Sequence, residues 1–174
     1  SVMPLRLRDG DDAGCMNLNR AQQPRLLGVD AAALGGLGAF AGPDTWNLLE
    51  APLPDGAIPA LVGDSDTLQW GLKKRVGDVL AYRNDSGAEF RVCLVGTLPM
   101  RVSVFQGSIL VAASRFTQMF PSESGYRVFL LDAPPDSVAR LNKEHERRGM
   151  QTVSAVDRLR DFYAVEMTYL SMFL

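Results

Sequence analysis

The only histidine, His145, stands between Glu144 and Glu146. A nucleophilic hydrolase needs a base within reach of its serine or cysteine, and a histidine inside the charged run from Lys143 to Arg148 reads instead as part of a solvated helix end. Ser108, in Gln106-Gly107-Ser108-Ile109, lacks the Gly-x-Ser-x-Gly elbow that presents a catalytic serine, and Ser122 to Gly125 reads as a turn leading into a strand. Cys15 and Cys93, with one histidine to help them, are too few for a structural zinc site. They read as two separate thiols, with a disulfide as the alternative in an oxidising compartment. Asp9, Asp11 and Asp12 gather acidic oxygens but lack the ligand spacing and distal glutamate of a helix-loop-helix calcium site, so a solvated turn is the simpler reading. Asp64 with Asp66, or Glu123 with Asp132, would serve acid–base glycoside cleavage if folding brought the partners together, yet nothing in the sequence favours either pair. Gly35-Gly36-Leu37-Gly38 departs from both common phosphate-cradling patterns and is followed by Pro43 rather than by a long helix. On these residues the chain is expected not to be an enzyme, and no catalytic, cofactor-binding or metal-binding residue is assigned.

Composition narrows the partners. Of 174 residues, 47% are apolar and the net charge is −2, so the chain can bury a core of its own and carries no basic excess. Its lysines and arginines are interleaved with acids, which argues against nucleic acid as a partner. The apolar stretch Ala31 to Gly42 is about half the roughly 20 residues that cross a bilayer, and it is broken by glycines. No charged segment leading into an apolar one opens the chain, so no signal peptide is visible.

The elements that would position these residues follow from periodicity and turn chemistry. Val2 to Asp12 reads as an irregular lead-in arm because of Pro4 and the Arg-Asp-Gly-Asp-Asp run. Cys15 to Arg20 reads as a short strand, and Gln22 to Val29 as an extended segment. Asp30 can cap a brief turn over Ala31, Ala32 and Ala33 that Gly35 and Gly36 end. Gly42 to Ile58, with its prolines, reads mostly as loop anchored by a buried Trp46. Ile58 to Val62 is a predicted strand, after which Asp64, Ser65 or Asp66 caps a short helix through Leu68 and Leu72 that ends by Gly77. Val79 to Arg83 and Glu89 to Val95 are strands joined by Asn84-Asp85-Ser86-Gly87, a strong hairpin signal. In the second of them Phe90, Val92 and Leu94 share a buried face.

Ile109 to Ala112 is a further predicted strand, and Ser114 to Phe120 a helix that Pro121 stops. Tyr126 to Leu131 reads as a central strand because its apolar run leaves no polar face. Pro134 and Pro135 open a helix with Val138 and Leu141 inward, ended by Gly149. Gln151 to Val153 then gives a last strand, completing a strand-helix-strand unit. From Ala155 on, Leu159, Phe162, Tyr163, Tyr169, Leu170 and Phe173 recur at helical spacing, with no cap at Leu174. The expected fold is α+β: a mixed, mainly antiparallel sheet with short helices and a terminal amphipathic helix. It is expected to form one domain over 1–174, with an irregular lead-in (1–57), a β-rich part (58–133) and a helical part (134–174).

Several segments taken in order carry a family resemblance. They are Asn17-Leu18-Asn19-Arg20 leading to Gln23-Pro24-Arg25-Leu26-Leu27-Gly28-Val29, then Leu72-Lys73-Lys74-Arg75-Val76-Gly77-Asp78, then Phe105 to Val111. Phe120-Pro121-Ser122-Glu123-Ser124-Gly125-Tyr126-Arg127 and Thr168-Tyr169-Leu170 complete the set. In these the chain resembles the extracytoplasmic (periplasmic) domain of FtsX-like, MacB-type ABC transporter permeases. The resemblance implies a domain held between transmembrane helices of a cell-membrane protein, expected here to be part of a larger ectodomain. It would pass ATP-driven conformational change to a substrate or envelope partner. It further implies a separate cytoplasmic ABC ATPase subunit, and a second permease copy or an envelope protein, as partners. Two other classes stay open on the residues alone: a carboxylate-based cell-envelope enzyme and a free-standing adaptor or binding module.

Overall fold

The computed structural model describes residues 1–11, 22–38, 40–100, 103–123, 125–160 and 164. Seven strands build one mixed sheet: β1 (Val2–Arg8), β2 (Arg25–Val29), β3 (Ile58–Val62), β4 (Val79–Arg83), β5 (Glu89–Thr97), β6 (Ser108–Ala112) and β7 (Val128–Leu131). Their spatial order is β4-β5-β3-β6-β2-β1-β7. The pairs β4/β5, β3/β6 and β1/β2 run antiparallel, whereas β2/β6 and β3/β5 run parallel. The fold is therefore α+β with a mostly antiparallel mixed sheet.

The strands in the middle are the ones whose sequences are apolar throughout. Ser108-Ile109-Leu110-Val111-Ala112 is buried at every position and Ile58-Pro59-Ala60-Leu61-Val62 at all but the first, as expected where both faces of a sheet are covered. Pro59 is tolerated in this interior strand because the ladder to β6 involves only Leu61 and Val62, so its missing N–H breaks no bond there. One face of the sheet carries Leu26, Ala60, Val62, Leu80, Tyr82, Val92, Leu94, Ile109 and Val111, closed by Phe116 and Phe120 at the helix α3 (Ala113–Met119). By the alternation of strands, Leu27, Val29, Leu61 and Leu110 face the other way, and they too are buried. Helices α1 (Ala31–Leu37) and α2 (Pro43–Asn47) pack on each other and contribute buried Leu34 and Trp46.

The chain divides into two compact units, Pro4–Phe129 and a smaller one made of Ser1–Met3 with the described residues from Leu130 on. The smaller unit contains α4 (Pro135–His145), with Pro135 in its first turn, followed by a tight turn at Glu146–Arg148 that Gly149 ends. Val138 and Leu141 are half-buried, the inward positions expected from their spacing.

Several local expectations are corrected. Val2 to Asp12 is not an irregular arm: Val2–Arg8 is β1, and Pro4 lies outside the Arg6–Arg8 stretch that pairs with β2, so it costs no ladder bond there. The described residues of the lead-in 1–57 accordingly form two strands and two helices. The turn after Asp30 runs through Gly35 and Gly36 as α1 and stops at Gly38 in the left-handed region; Asp30 caps it by accepting the Ala33 N–H at 2.9 Å. Within Gly42 to Ile58, Pro43 opens α2 rather than a loop, its fixed φ suiting a first helical turn. The turn after Asp64 is the wide one Thr67–Gly71, and it ends at Leu72 rather than at Gly77. Val128–Leu131 is an edge strand, not a central one, and Phe129 on it is exposed. Gln151 to Val153 forms no strand, so α4 is not followed by the return strand of a strand-helix-strand unit. The Cys15 to Arg20 strand and most of the terminal helix lie outside the described residues; 155–160 is helical.

Candidate functional site

Among the described residues the fully buried polar side chains gather in one place. Asp64, Asp66, Thr67, Ser103 and Ser108 sit where the chain leaves β3 and where it enters β6. Gly63 N–H donates to the Ser108 carbonyl at 3.0 Å, extending the β3–β6 contact past the strand end. The Ser103 hydroxyl donates to the Gly63 carbonyl at 2.6 Å and accepts the Phe105 N–H at 3.0 Å. Asp64 Oδ1 accepts the Thr67 N–H at 2.7 Å, the geometry of a capping aspartate, and Thr67 Oγ1 accepts the Gly107 N–H at 2.9 Å. Gly63 admits no side chain, since a Cβ there would lie 2.1 Å from the Phe105 carbonyl oxygen.

Asp64 has no exposed surface, and its Oδ2 has no hydrogen-bond partner among the described residues. Burial therefore pushes its carboxyl above the usual aspartate range. The Thr67 N–H and hydroxyl and the Ser103 backbone oppose this, and the neighbouring Asp66 adds to the upward push. Asp64 and Asp66 are thus brought together, as one of the sequence pairs required. What faces Asp64 is the hydroxyl and amide groups of Thr67 and the Ser103 backbone, and the Ser103 and Thr67 hydroxyls tie the 103–108 loop to the end of β3, an arrangement that braces the sheet.

The other candidates are dispersed. Ser108 is buried, and its Oγ accepts from Arg25 Nε at 2.9 Å while the same guanidinium donates to the Gln106 carbonyl at 3.1 Å. Glu123 is ion-paired with Arg8 at 2.9 Å, and Asp132 belongs to the smaller unit. Asp9 pairs with Arg127 at 2.9 Å, and Asp11 Oδ2 accepts the N–H groups of Gln22 and Gln23, which hold its carboxyl below the usual range. Asp12 and Cys15 lie outside the described residues. Cys93 is a free, half-buried thiol whose pKa is raised by burial and by Asp55 and Asp78. His145 is half-buried in the last turn of α4. Gly35 and Gly36 are within α1 and Gly38 caps it, so that run is a helix end.

No group of three or more metal-ligating side chains occurs among the described residues, and no described helix is long and apolar enough to cross a membrane. The brace formed by Ser103 and Thr67 escaped the sequence, because each pairs with a backbone group far along the chain; the one available signal was the spacing Asp64-x-x-Thr67. No protein-family model matches the chain, and a search of curated proteins finds no match.

Proposed function

We propose that this chain is the extracytoplasmic domain of an FtsX-like ABC transporter permease, a mechanical element that relays ATP-driven movement from a membrane-embedded subunit to a substrate or envelope partner. One observation carries the reading: the chain segment leading into the large unit and the one leading out of it run together. Asp132 N–H donates to the Ser1 carbonyl at 3.0 Å, and β1 and β7 are neighbours in the sheet. This adjacency is compatible with a domain inserted between two membrane spans. The segments that carry the resemblance also converge. Gln23 to Val29 and Phe105 to Val111 supply the parallel pair β2/β6 in register from Arg25–Ser108 to Val29–Ala112, and Pro24 accepts the buried Tyr82 hydroxyl at 2.8 Å.

The test is the gene on either side of residues 1–174. The proposal expects an apolar span of about 20 residues on each side. Flanking polar linkers, or a stop codon directly after Leu174, would sink it. Where the spans are present, the full-length product should co-purify with an ATP-binding subunit from detergent extracts of its own cells.

A further inference from the structure

Among the described residues of the Pro4–Phe129 unit, the two most exposed large apolar side chains are Trp70, 59% exposed, and Val76, 57% exposed. They flank Lys73, Lys74 and Arg75. This segment is a hook held from within. Leu72 N–H reaches back to the Thr67 carbonyl at 2.9 Å and Lys74 N–H to the Leu68 carbonyl at 3.0 Å, while Lys73 takes a left-handed φ of 52° to make the bend. Thr67, Gly71 and Leu72 are buried and Leu68 packs on the core, so the side chains left outside are Gln69, Trp70, Lys73, Arg75 and Val76. Lys74 Nζ donates to the Val79 carbonyl at 3.3 Å. Neither Lys73 nor Arg75 has a side-chain partner among the described residues. The one acid of the hook, Asp78, turns its Oδ2 to the Arg75 backbone N–H at 2.9 Å. Two exposed cations thus lie between two exposed apolar groups along the hook, on a chain whose net charge is negative.

We propose that the 69–76 hook is a docking site for a membrane surface bearing anionic phospholipids. Trp70 and Val76 would enter the boundary between headgroups and acyl chains, while Lys73 and Arg75 lie against phosphates. A tryptophan ring is amphipathic and settles at that boundary, and adjacent basic side chains add attraction that grows with the anionic charge of the surface. A fixed left-handed bend with its inner face packed presents these groups without the ordering cost that a free loop would carry on binding. The inference stands on the hook alone and does not require the permease reading.

The chain has two tryptophans and Trp46 is fully buried, so a blue shift of emission on binding reports Trp70. The 174-residue chain is mixed with vesicles of phosphatidylcholine alone or of equal parts phosphatidylcholine and phosphatidylglycerol, and both emission and co-sedimentation are followed. Binding with a blue shift is expected for the mixed vesicles only, weakening as salt is added. Replacing both Lys73 and Arg75 by Gln should weaken it about 25-fold, roughly fivefold per cation. Trp70→Ala should remove the shift and weaken sedimentation about tenfold, and Val76→Ser, at a second exposed position, should weaken it in the same direction. Arg91→Gln, a cation outside the hook, should change nothing. The proposal is overturned if the chain ignores the mixed vesicles, or if Arg91→Gln weakens binding as much as the hook variants do. It is equally overturned if soluble polyglutamate, but not vesicles, shifts the emission, since the hook would then be reading an acidic protein segment.

Discussion

At Asp64 a single carboxyl links the packing at the end of β3 to pH. Burial raises its pKa above the ordinary 3.8, so the native state holds this proton more tightly than the unfolded chain does. The stability it contributes is complete below the unfolded value and is lost as pH rises through the raised native one. Asp64→Asn keeps an oxygen to accept the Thr67 N–H and never ionises. The variant should therefore lose less stability than the wild type as pH rises above the ordinary aspartate value of 3.8, read from urea midpoints over that rise; parallel profiles would mean that Asp64 does not titrate differently on folding. Its neighbour Gly63 tests the same junction sterically. A Cβ 2.1 Å from the Phe105 oxygen forces backbone apart, so Gly63→Ala should cost more than about 3 kcal/mol in denaturant unfolding. The sequence made Asp64 legible as a helix-capping aspartate and as half of an acid pair. It could not show that Ser103 returns to close on the Gly63 carbonyl, because that bond belongs to the tertiary fold.

Elements whose local chemistry agrees with their surroundings were legible, and those decided by neighbours were not. The β4–β5 hairpin is the clearest agreement. Asn84 Oδ1 accepts the N–H groups of Ser86 and Ala88, and Gly87 takes a φ of 81° that L residues rarely adopt. Nothing crowds Gly87, so the cost of a side chain there is conformational. Gly87→Val should destabilise the unit by about 1 kcal/mol or more, and Gly87→Asn by less, because asparagine tolerates the left-handed region. Equal midpoints for Val and Gly would refute the turn. By contrast β1 was obscured by Pro4 and by the charged run after it, since whether a proline breaks a ladder depends on where its partner strand ends. The run Val128-Phe129-Leu130-Leu131 is apolar enough for an interior strand, yet its position at the edge follows from strand order, which no local pattern carries. Gln151 to Val153 has the composition of a strand but adds no rung to the sheet.

Every fully buried apolar side chain among the described residues falls between Leu5 and Phe120, while α4 and the described residues after it bury none completely. Among the described residues the free energy of apolar burial is thus concentrated in Pro4–Phe129, and the described part of the smaller unit has half-buried Val138 and Leu141, the Asn142–Thr152 side-chain hydrogen bond and the Ser154 cap on the Asp157 N–H. Such regions open at lower free energy than a packed core. A chain shortened to end at Asp132 retains all of β7 and every one of those buried side chains. Its urea midpoint, followed through Trp46 emission, should stay within about 0.5 kcal/mol of the full chain's, as expected when none of the buried apolar side chains of the described residues is removed. Limited proteolysis of the full chain should cut first between residues 133 and 160 and leave a resistant core. If shortening instead abolishes cooperative unfolding, or if cleavage starts within 58–112, then the stabilising interactions extend past β7 and the division into a packed sheet unit and a lightly packed helical unit does not hold.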